Sequence, residues 1–401
     1  MMTDPTARCP EWLIAPMSVR GGSISFYEYM NLVLNDPSNG FYSTGRLKIG
    51  KDGDFCTSPS LGDDFARLLA IQVVEWFLDL ERSNIDSDLF SLVEIGPGEG
   101  SLSRDLIDAI YEIEPSLINK IELVLVEKNI GMKKRQEKVV DSIKGVSFRW
   151  CDLEELILSP VTGVVIANEV LDAFPVERLV FRDQKVFRQG VSLKNINDEY
   201  FLEFVDLKAT SAIKQFLKDS KSLLGIEFPP KNICNGWVTE WHCDVPIWFE
   251  KLSKVLNNGL VLVVDYALES KRYYNSIRKE GTLISYRNQE ANPNILKDAG
   301  LSDLTSHLCI ESTINYALRN GWKFIGETRQ GQALLALGLS EFLYSLQNTT
   351  GDNLSAALNR RESLLRLVDP IGLGEFRWLA FQRDNSNDLN LRNRFLEEPI
   401  S

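Results

Sequence analysis

Histidine is nearly missing from this 401-residue chain: His242 and His307 are the only two. A metal centre built on imidazole has little to draw on. His242-Cys243 could offer two ligands, but no further cluster stands near them in the sequence, and no metal site is expected. Long apolar runs are missing too. None approaches the roughly 18–20 residues of a membrane-crossing helix, so no membrane insertion is expected. The opening residues, Met1-Met2-Thr3-Asp4-Pro5, show neither a basic stretch before an apolar one nor an Arg-rich amphipathic pattern. None of the six cysteines (Cys9, Cys56, Cys151, Cys234, Cys243, Cys309) pairs as C-x-x-C. Reduced thiols and a cytoplasmic location are the expectation. Basic residues are outnumbered, 44 against 56 acidic, for a net charge of −12. That excludes a protein gripping nucleic acid with its whole surface. An acidic body suits a cationic partner such as an Arg- or Lys-bearing peptide, and equally an ordinary solvated surface. Internal repeats and low-complexity tracts are absent.

What is present is a globular composition, 44% hydrophobic and 25% charged, in a chain long enough for two domains or one decorated one. Its most informative stretch is Leu92-Val93-Glu94-Ile95-Gly96-Pro97-Gly98-Glu99-Gly100-Ser101-Leu102. An apolar strand runs into three alternating glycines, and a helical pattern follows. Glycine lets the backbone turn sharply and approach a ligand closely. A dinucleotide fingerprint reads G-x-G-x-x-G; here the third glycine comes one residue early. That form suits a cofactor whose amino-acid tail lies against the turn, with S-adenosylmethionine the obvious candidate. The alternative is an ordinary tight strand-to-helix turn.

Around this stretch the pattern alternates strand and helix. Strands are expected at Leu92–Ile95, Ile121–Glu127, Val146–Trp150, Gly163–Ala167 and Leu260–Asp265. Helices are expected over Leu102–Ile110, Lys133–Ile143 and Trp248–Leu256. This is an α/β fold with a parallel, doubly wound sheet. Ser25 can cap a helix carrying Phe26, Tyr29, Met30, Val33 and Leu34. A polar, glycine-rich loop, Gly40 to Pro59, precedes an amphipathic helix running through Phe65 and Phe77. Val180–Phe187 and Tyr200–Leu207 read as β-hairpin material and Ala212–Leu224 as a helix. The chain divides into an N-terminal helical segment and active-site loop (1–88), the first half of the cofactor core (89–180), an inserted substrate-side subdomain (181–247), the second half of the core (248–340) and a C-terminal helical tail (341–401).

Ligands of such sheets bind at the carboxyl ends of the strands. After the second strand, Glu127 can accept both ribose hydroxyls of an adenosine, or else is a solvated strand-end acid. After the third, Asp152 can accept from the adenine amino group, and Leu153 can offer its backbone N–H to the ring. The fourth strand ends in Asn168-Glu169-Val170-Leu171-Asp172-Ala173-Phe174-Pro175-Val176. In a methyl transferase this edge faces the reacting carbon and the incoming nucleophile. Asn168, Glu169 and Asp172 supply acceptors able to orient a guanidinium or amine and take its proton. Asn168 and Asp172 can alternatively cap a following helix.

Several segments together resemble one family. They are Tyr29-Met30 with Asp36-Pro37-Ser38-Asn39-Gly40-Phe41-Tyr42; Gly53-Asp54-Phe55-Cys56-Thr57-Ser58-Pro59; the glycine stretch; Val126-Glu127; Asn168–Val176; Asp265-Tyr266; Gly281-Thr282-Leu283; Asp303–His307; and Gln330-Gly331. The chain resembles the MidA-like S-adenosylmethionine-dependent methyltransferases, whose mitochondrial member is an arginine methyltransferase needed to assemble respiratory complex I. The resemblance implies a class I methyltransferase core, a Rossmann-like doubly wound sheet with an N-terminal helical segment and a β-hairpin/helix insertion after strand four. It implies S-adenosylmethionine as donor and a protein arginine, in a respiratory-complex subunit, as acceptor. It places Gly96, Gly98, Gly100 and Glu127 at the cofactor and Asn168, Glu169 and Asp172 at the transfer site. It makes the Gly53–Pro59 loop a wall of that pocket, with Asp54, Thr57 and Ser58 as its polar members. The chain departs from the family at Glu99, where a basic residue is usual, and in the stretch after Leu283. A small-molecule N- or O-methyltransferase, and a non-catalytic assembly factor that binds the cofactor, are the other functions open to this core.

Overall fold

A strand covered on both faces is buried along its whole length, and Phe90–Ile95 (β1) is one, with every residue buried, Ser91 and Glu94 included. The computed structural model describes residues 6–398 except 46, 48, 49, 51, 52, 54–56, 84, 86, 88, 144, 348, 351, 352 and 386–388. Among the described residues β1 lies inside a seven-stranded sheet. Its other strands are Ile121–Val126 (β2), Ser147–Cys151 (β3), Val161–Asn168 (β4), Leu256–Asp265 (β5), Lys323–Arg329 (β6) and Arg377–Asp384 (β7). Their spatial order is β3-β2-β1-β4-β5-β7-β6. β1 to β5 run parallel, and β7 runs antiparallel to both its neighbours. Growth of the sheet reverses between β1 and β4. Ligands of doubly wound sheets bind at the carboxyl ends of such a strand pair.

Helices cover the sheet. Asp64–Arg82 (α1) buries Phe65, Leu68, Leu69, Val73, Trp76, Phe77 and Leu80 along one stripe. Each such side chain contributes about 1.5–3 kcal/mol of burial. Ser101–Ile113 (α2) follows β1, and Ile130–Val140 (α3) follows β2. No helix among the described residues is long and apolar enough to cross a membrane.

The end of the chain corrects the expectation of a helical tail over 341–401. Leu354–Leu367 is helical, but Arg377–Asp384 is a strand, β7, inserted between β5 and β6. Charges at both ends disguise a short apolar run, Trp378-Leu379-Ala380-Phe381, all fully buried. With both faces covered it shows no alternation for a sequence reading to find. β6 escapes for a related reason: it is half-buried along most of its length and mixes polar with apolar residues without a clean period.

The described chain forms two compact units, interleaved along the sequence. One comprises Lys48–Val170, Phe249–Tyr266 and Ala317–Ser401 and holds the seven-stranded sheet. The other comprises Met1–Leu47, Leu171–Trp248 and Ala267–Tyr316, so the insertion after β4 draws in more chain than 181–247. Its main sheet is antiparallel, built from Glu177–Arg182, Lys185–Ile196, Glu199–Lys208 and Trp237–Trp241, with Ala7–Arg8 and Ser23–Ser25 added at its flanks. Both hairpins turn on two residues of positive φ, Asp183-Gln184 and Asn197-Asp198. That twist matches the flanking strands, so the stretch after Phe187 is strand as far as Ile196. Ser25 caps Phe26–Asn35 in a reciprocal capping box with Glu28.

Candidate active site

The turn after β1 needs its glycines. Gly96, Gly98 and Gly100 have φ of 64°, 54° and 84°, a region costly to residues bearing a Cβ. A Cβ on Gly96 would also come within 3.1 Å of Val170 Cγ2. Gly96 N donates to Val126 O at 3.1 Å and Gly100 N to Pro97 O at 2.7 Å. Gly100 then starts α2, whose N-terminus favours negative charge. Beneath the turn, Glu94 accepts from the Ser103 hydroxyl. Burial pushes its carboxyl up to about 7, against the pull of that hydrogen bond.

Glu127 follows β2 and is buried. Its Oε1 accepts from Asn129 N at 2.8 Å and its Oε2 from Gln136 Nε2 at 3.1 Å. The Lys128 backbone N–H bonds to the same carboxylate, whose two oxygens offer about four acceptor positions in all. Burial raises its pKa, opposed by these bonds. Asp152 follows β3 and caps the helix Leu153–Leu158: its Oδ1 accepts from Glu155 N at 2.8 Å, and its own N–H donates to Glu155 Oε2 at 2.8 Å. Leu153 is the first residue of that helix and is half-buried.

At the end of β4, Asn168 Nδ2 donates to Glu169 Oε1 at 3.2 Å. Among the described residues, Asn168 Oδ1 is buried without a hydrogen-bond partner. Glu169 has φ 54°, a left-handed conformation that costs a non-glycine residue on the order of 1–3 kcal/mol. Three bonds hold it there. Glu169 N donates to Val264 O at 2.8 Å, Ser58 N donates to Glu169 Oε1 at 3.2 Å, and Val170 N donates to Asp265 Oδ2 at 3.3 Å. Burial, and then the negative charge of Asp265, push the Glu169 carboxyl up to about 8. The Ser58 hydroxyl is engaged with the Gln330 amide at 3.0–3.2 Å, and Gln330 is itself fully buried and tied to Leu367 O at 3.1 Å. Thr57 forms a tight turn with Ser60, its N–H donating to Ser60 Oγ at 3.0 Å. Asp54 lies outside the described residues.

The next element after Asn168 is the strand Glu177–Arg182, so Asn168 and Asp172 cap no following helix. Asn168, Glu169 and Ser58 are brought together. Asp172 belongs to the other unit, where its carbonyl accepts from Ser306 N at 2.9 Å. There its charge, after burial, helps raise the Tyr286 phenol. Glu99 meets Arg135 of α3 in an ion pair, so this departure from the family carries its own counter-charge. The sequence reading assigned no role to Gln136, Asp265 or Gln330. Gln136 had a signal: it stands in the buried stripe Met132, Gln136, Val140, where a polar residue needs a reason.

The sheet order with its antiparallel β7, the glycine turn after β1 and the buried acid after β2 define a class I S-adenosylmethionine-dependent methyltransferase. Residues 68–328 match the S-adenosyl-L-methionine-dependent methyltransferase family Methyltransf_28, and the chain belongs to that family. It is similar to bovine protein arginine methyltransferase NDUFAF7, mitochondrial, at 38% identity over 388 residues, covering 90% of this chain and 80% of the bovine one. The Caenorhabditis elegans homolog of that name is 25% identical, with 95% and 88% covered. The match to the human protein is 27% identical and spans 61% of this chain but only 56% of the human one. The fold is similar to that of a Burkholderia thailandensis protein solved bound to S-adenosyl-homocysteine, with a TM-score of 0.78, 25% identity, and 97% and 95% of the two chains covered.

These relatives overturn the expectation of a cytoplasmic location, since all three curated ones are named mitochondrial. That expectation rested on a missing leader pattern and on cysteine spacing, and neither ties a protein to a compartment.

The residues present fit the cofactor. The glycine turn offers close approach, Glu127 offers a carboxylate with acceptor capacity beyond its three internal bonds, and Asn168 Oδ1 is an acceptor without a partner among the described residues.

Proposed function

We propose that this chain methylates an arginine side chain of a protein client, a respiratory-complex subunit being the client its family resemblance supplies. The observation that carries the reading is the pair at the end of β4. Asn168 presents a buried acceptor with no partner among the described residues, hydrogen-bonded to Glu169, whose carboxyl burial and Asp265 push up to about 8. Relatives named as protein arginine methyltransferases support it.

When bound, S-adenosylmethionine supplies a methyl group already activated on sulfonium. The chain's task is then alignment and proton removal. Gly96, Gly98 and Gly100 shape the turn against the cofactor, and Glu127 accepts from its ribose. Asp152 and Leu153 are the contacts proposed for the adenine. Asn168 Oδ1 accepts one N–H of the guanidinium and fixes the plane of the group. Glu169 takes the proton that the methylated nitrogen gives up. Burial and the charge of Asp265 favour the protonated form of Glu169 in the free protein. An arriving guanidinium favours the ionised form and lowers that pKa, so the base is generated by the acceptor itself. The local strain and the bonds from Ser58, Val264 and Asp265 keep the carboxyl aimed while it changes charge.

Asp172 is proposed as a further acceptor for the client. Asp172→Ala is expected to abolish transfer and to leave the affinity for S-adenosyl-homocysteine within about twofold, as read by calorimetry. A parallel loss of affinity would make Asp172 a cofactor or structural residue instead. The acceptor class is tested by incubating the protein with a cell lysate and methyl-labelled S-adenosylmethionine. Label in protein-bound methylarginine is the expected result. Label confined to small molecules would replace this reading with that of a small-molecule methyltransferase.

A further inference from the structure

Gln136 joins three elements that the cofactor reading treats separately. Its side chain is fully buried on α3, between Met132 and Val140. Burying a primary amide is costly unless its polar atoms are matched. Here they are. Nε2 donates to Gly98 O at 2.9 Å and to Glu127 Oε2 at 3.1 Å. Oε1 accepts from Trp150 Nε1 at 2.9 Å. The indole N–H can only donate, and Gly98 O can only accept, so one orientation of the amide satisfies all three partners. Leucine in the same stripe would pack as well and would leave the Gly98 carbonyl, the Glu127 carboxylate and the Trp150 N–H without this partner.

We propose that Gln136 is a positioning residue that fixes the glycine turn after β1 and the Glu127 carboxylate at one separation, so that the two halves of the cofactor site are set together. The inference rests on the reading of Glu127 as the ribose acceptor. The turn meets the amino-acid half of the cofactor and Glu127 meets its adenosine half. A single amide with both N–H groups committed, one to each, transmits any displacement of either. Trp150 on β3 holds the amide from behind, which extends the brace to the strand that precedes Asp152.

The test is calorimetric binding of S-adenosyl-homocysteine to the wild type, Glu127→Gln, Gln136→Leu and the double variant, each with a urea unfolding curve. Gln136→Leu is expected to bind about tenfold more weakly, in line with the loss of bonds to a charged group and a buried carbonyl. Glu127→Gln is expected to lose more. The double variant is expected to bind no more weakly than Glu127→Gln alone, because residues acting through a shared contact are not additive. Gln136→Met, of similar length, carries the same test if the leucine variant folds poorly. Gln136→Leu binding within twofold of wild type overturns the proposal, and so do additive losses, since either would make the amide mere packing. If Glu127→Gln binds as wild type, the ribose reading fails and the coupling fails with it. That outcome is distinct from a weakened Glu127→Gln beside an unaffected Gln136→Leu, which removes only the role of Gln136.

Discussion

Glu169→Gln is expected to bind S-adenosyl-homocysteine as the wild type does and to transfer methyl groups about a thousandfold more slowly, within the range a positioned proton acceptor supplies. Glutamine preserves the shape of the side chain and an oxygen for the Ser58 and Asn168 donors, while removing the base. The sign of the pH dependence follows from the direction of the shift. Burial and Asp265 raise the carboxyl to about 8, so below that value the free protein carries the protonated, unproductive form. kcat/KM for the wild type should therefore fall roughly tenfold per pH unit below about 8. The limb in kcat should lie lower, because a bound guanidinium stabilises the carboxylate. Glu169→Gln should show neither limb. Stability carries the same signature. A folded value of about 8 against an ordinary 4.5 means that stability is lost as pH rises through that window. Glu169→Gln should accordingly be more resistant to urea than wild type above pH 8. A wild-type profile flat between pH 6 and 9 would remove Glu169 from proton transfer.

Gly98→Val is expected to abolish useful cofactor binding, with a loss of roughly a hundredfold or more in affinity. Valine at φ 54° is strained by its branched Cβ. On the proposed reading of the turn as a cofactor contact, its side chain would also stand between backbone and ligand. The Gly98 carbonyl is held by Gln136 at 2.9 Å, so the turn has no free slack to absorb the change. Transfer should vanish in proportion to binding, in contrast to Glu169→Gln, where binding survives. Calorimetry of the two variants side by side separates the cofactor half of the site from the transfer half. Wild-type affinity in Gly98→Val would mean that the glycine turn is only a strand-to-helix connection.

The parallel strands were legible because most carry an apolar run bounded by turn residues, and the first three are each followed by helical residues. The glycine turn was legible because its spacing has a backbone cause. Glu127 and Asn168-Glu169 followed from position, since each stands where a strand of the sheet ends. Gln136, Asp265 and Gln330 were not assigned roles for one shared reason: each acts by bonding to groups distant in the chain. Gln136 reaches Gly98 and Glu127, Asp265 reaches Val170 N, and Gln330 reaches Ser58. Tertiary partners of that kind leave no local period, and the polar residue that Gln136 sets in an apolar stripe marks a need without naming its partners. β7 was missed because a strand completing the sheet from the far end of the chain has no neighbour in sequence to announce it. The strain at Glu169 was equally invisible, since nothing in Asn168-Glu169-Val170 demands a positive φ until Val264 and Asp265 are in place.

The central claim is that the Asn168–Glu169 edge transfers methyl groups to arginine in a protein. Fragment mass spectrometry of proteins incubated with methyl-labelled S-adenosylmethionine tests it most directly, with wild type and Glu169→Gln run in parallel. The account predicts label on a guanidino nitrogen of at least one protein with the wild type and none with Glu169→Gln at equal cofactor occupancy. Label on lysine, on a carboxyl group or on small molecules alone would contradict it, and so would arginine label that Glu169→Gln leaves undiminished.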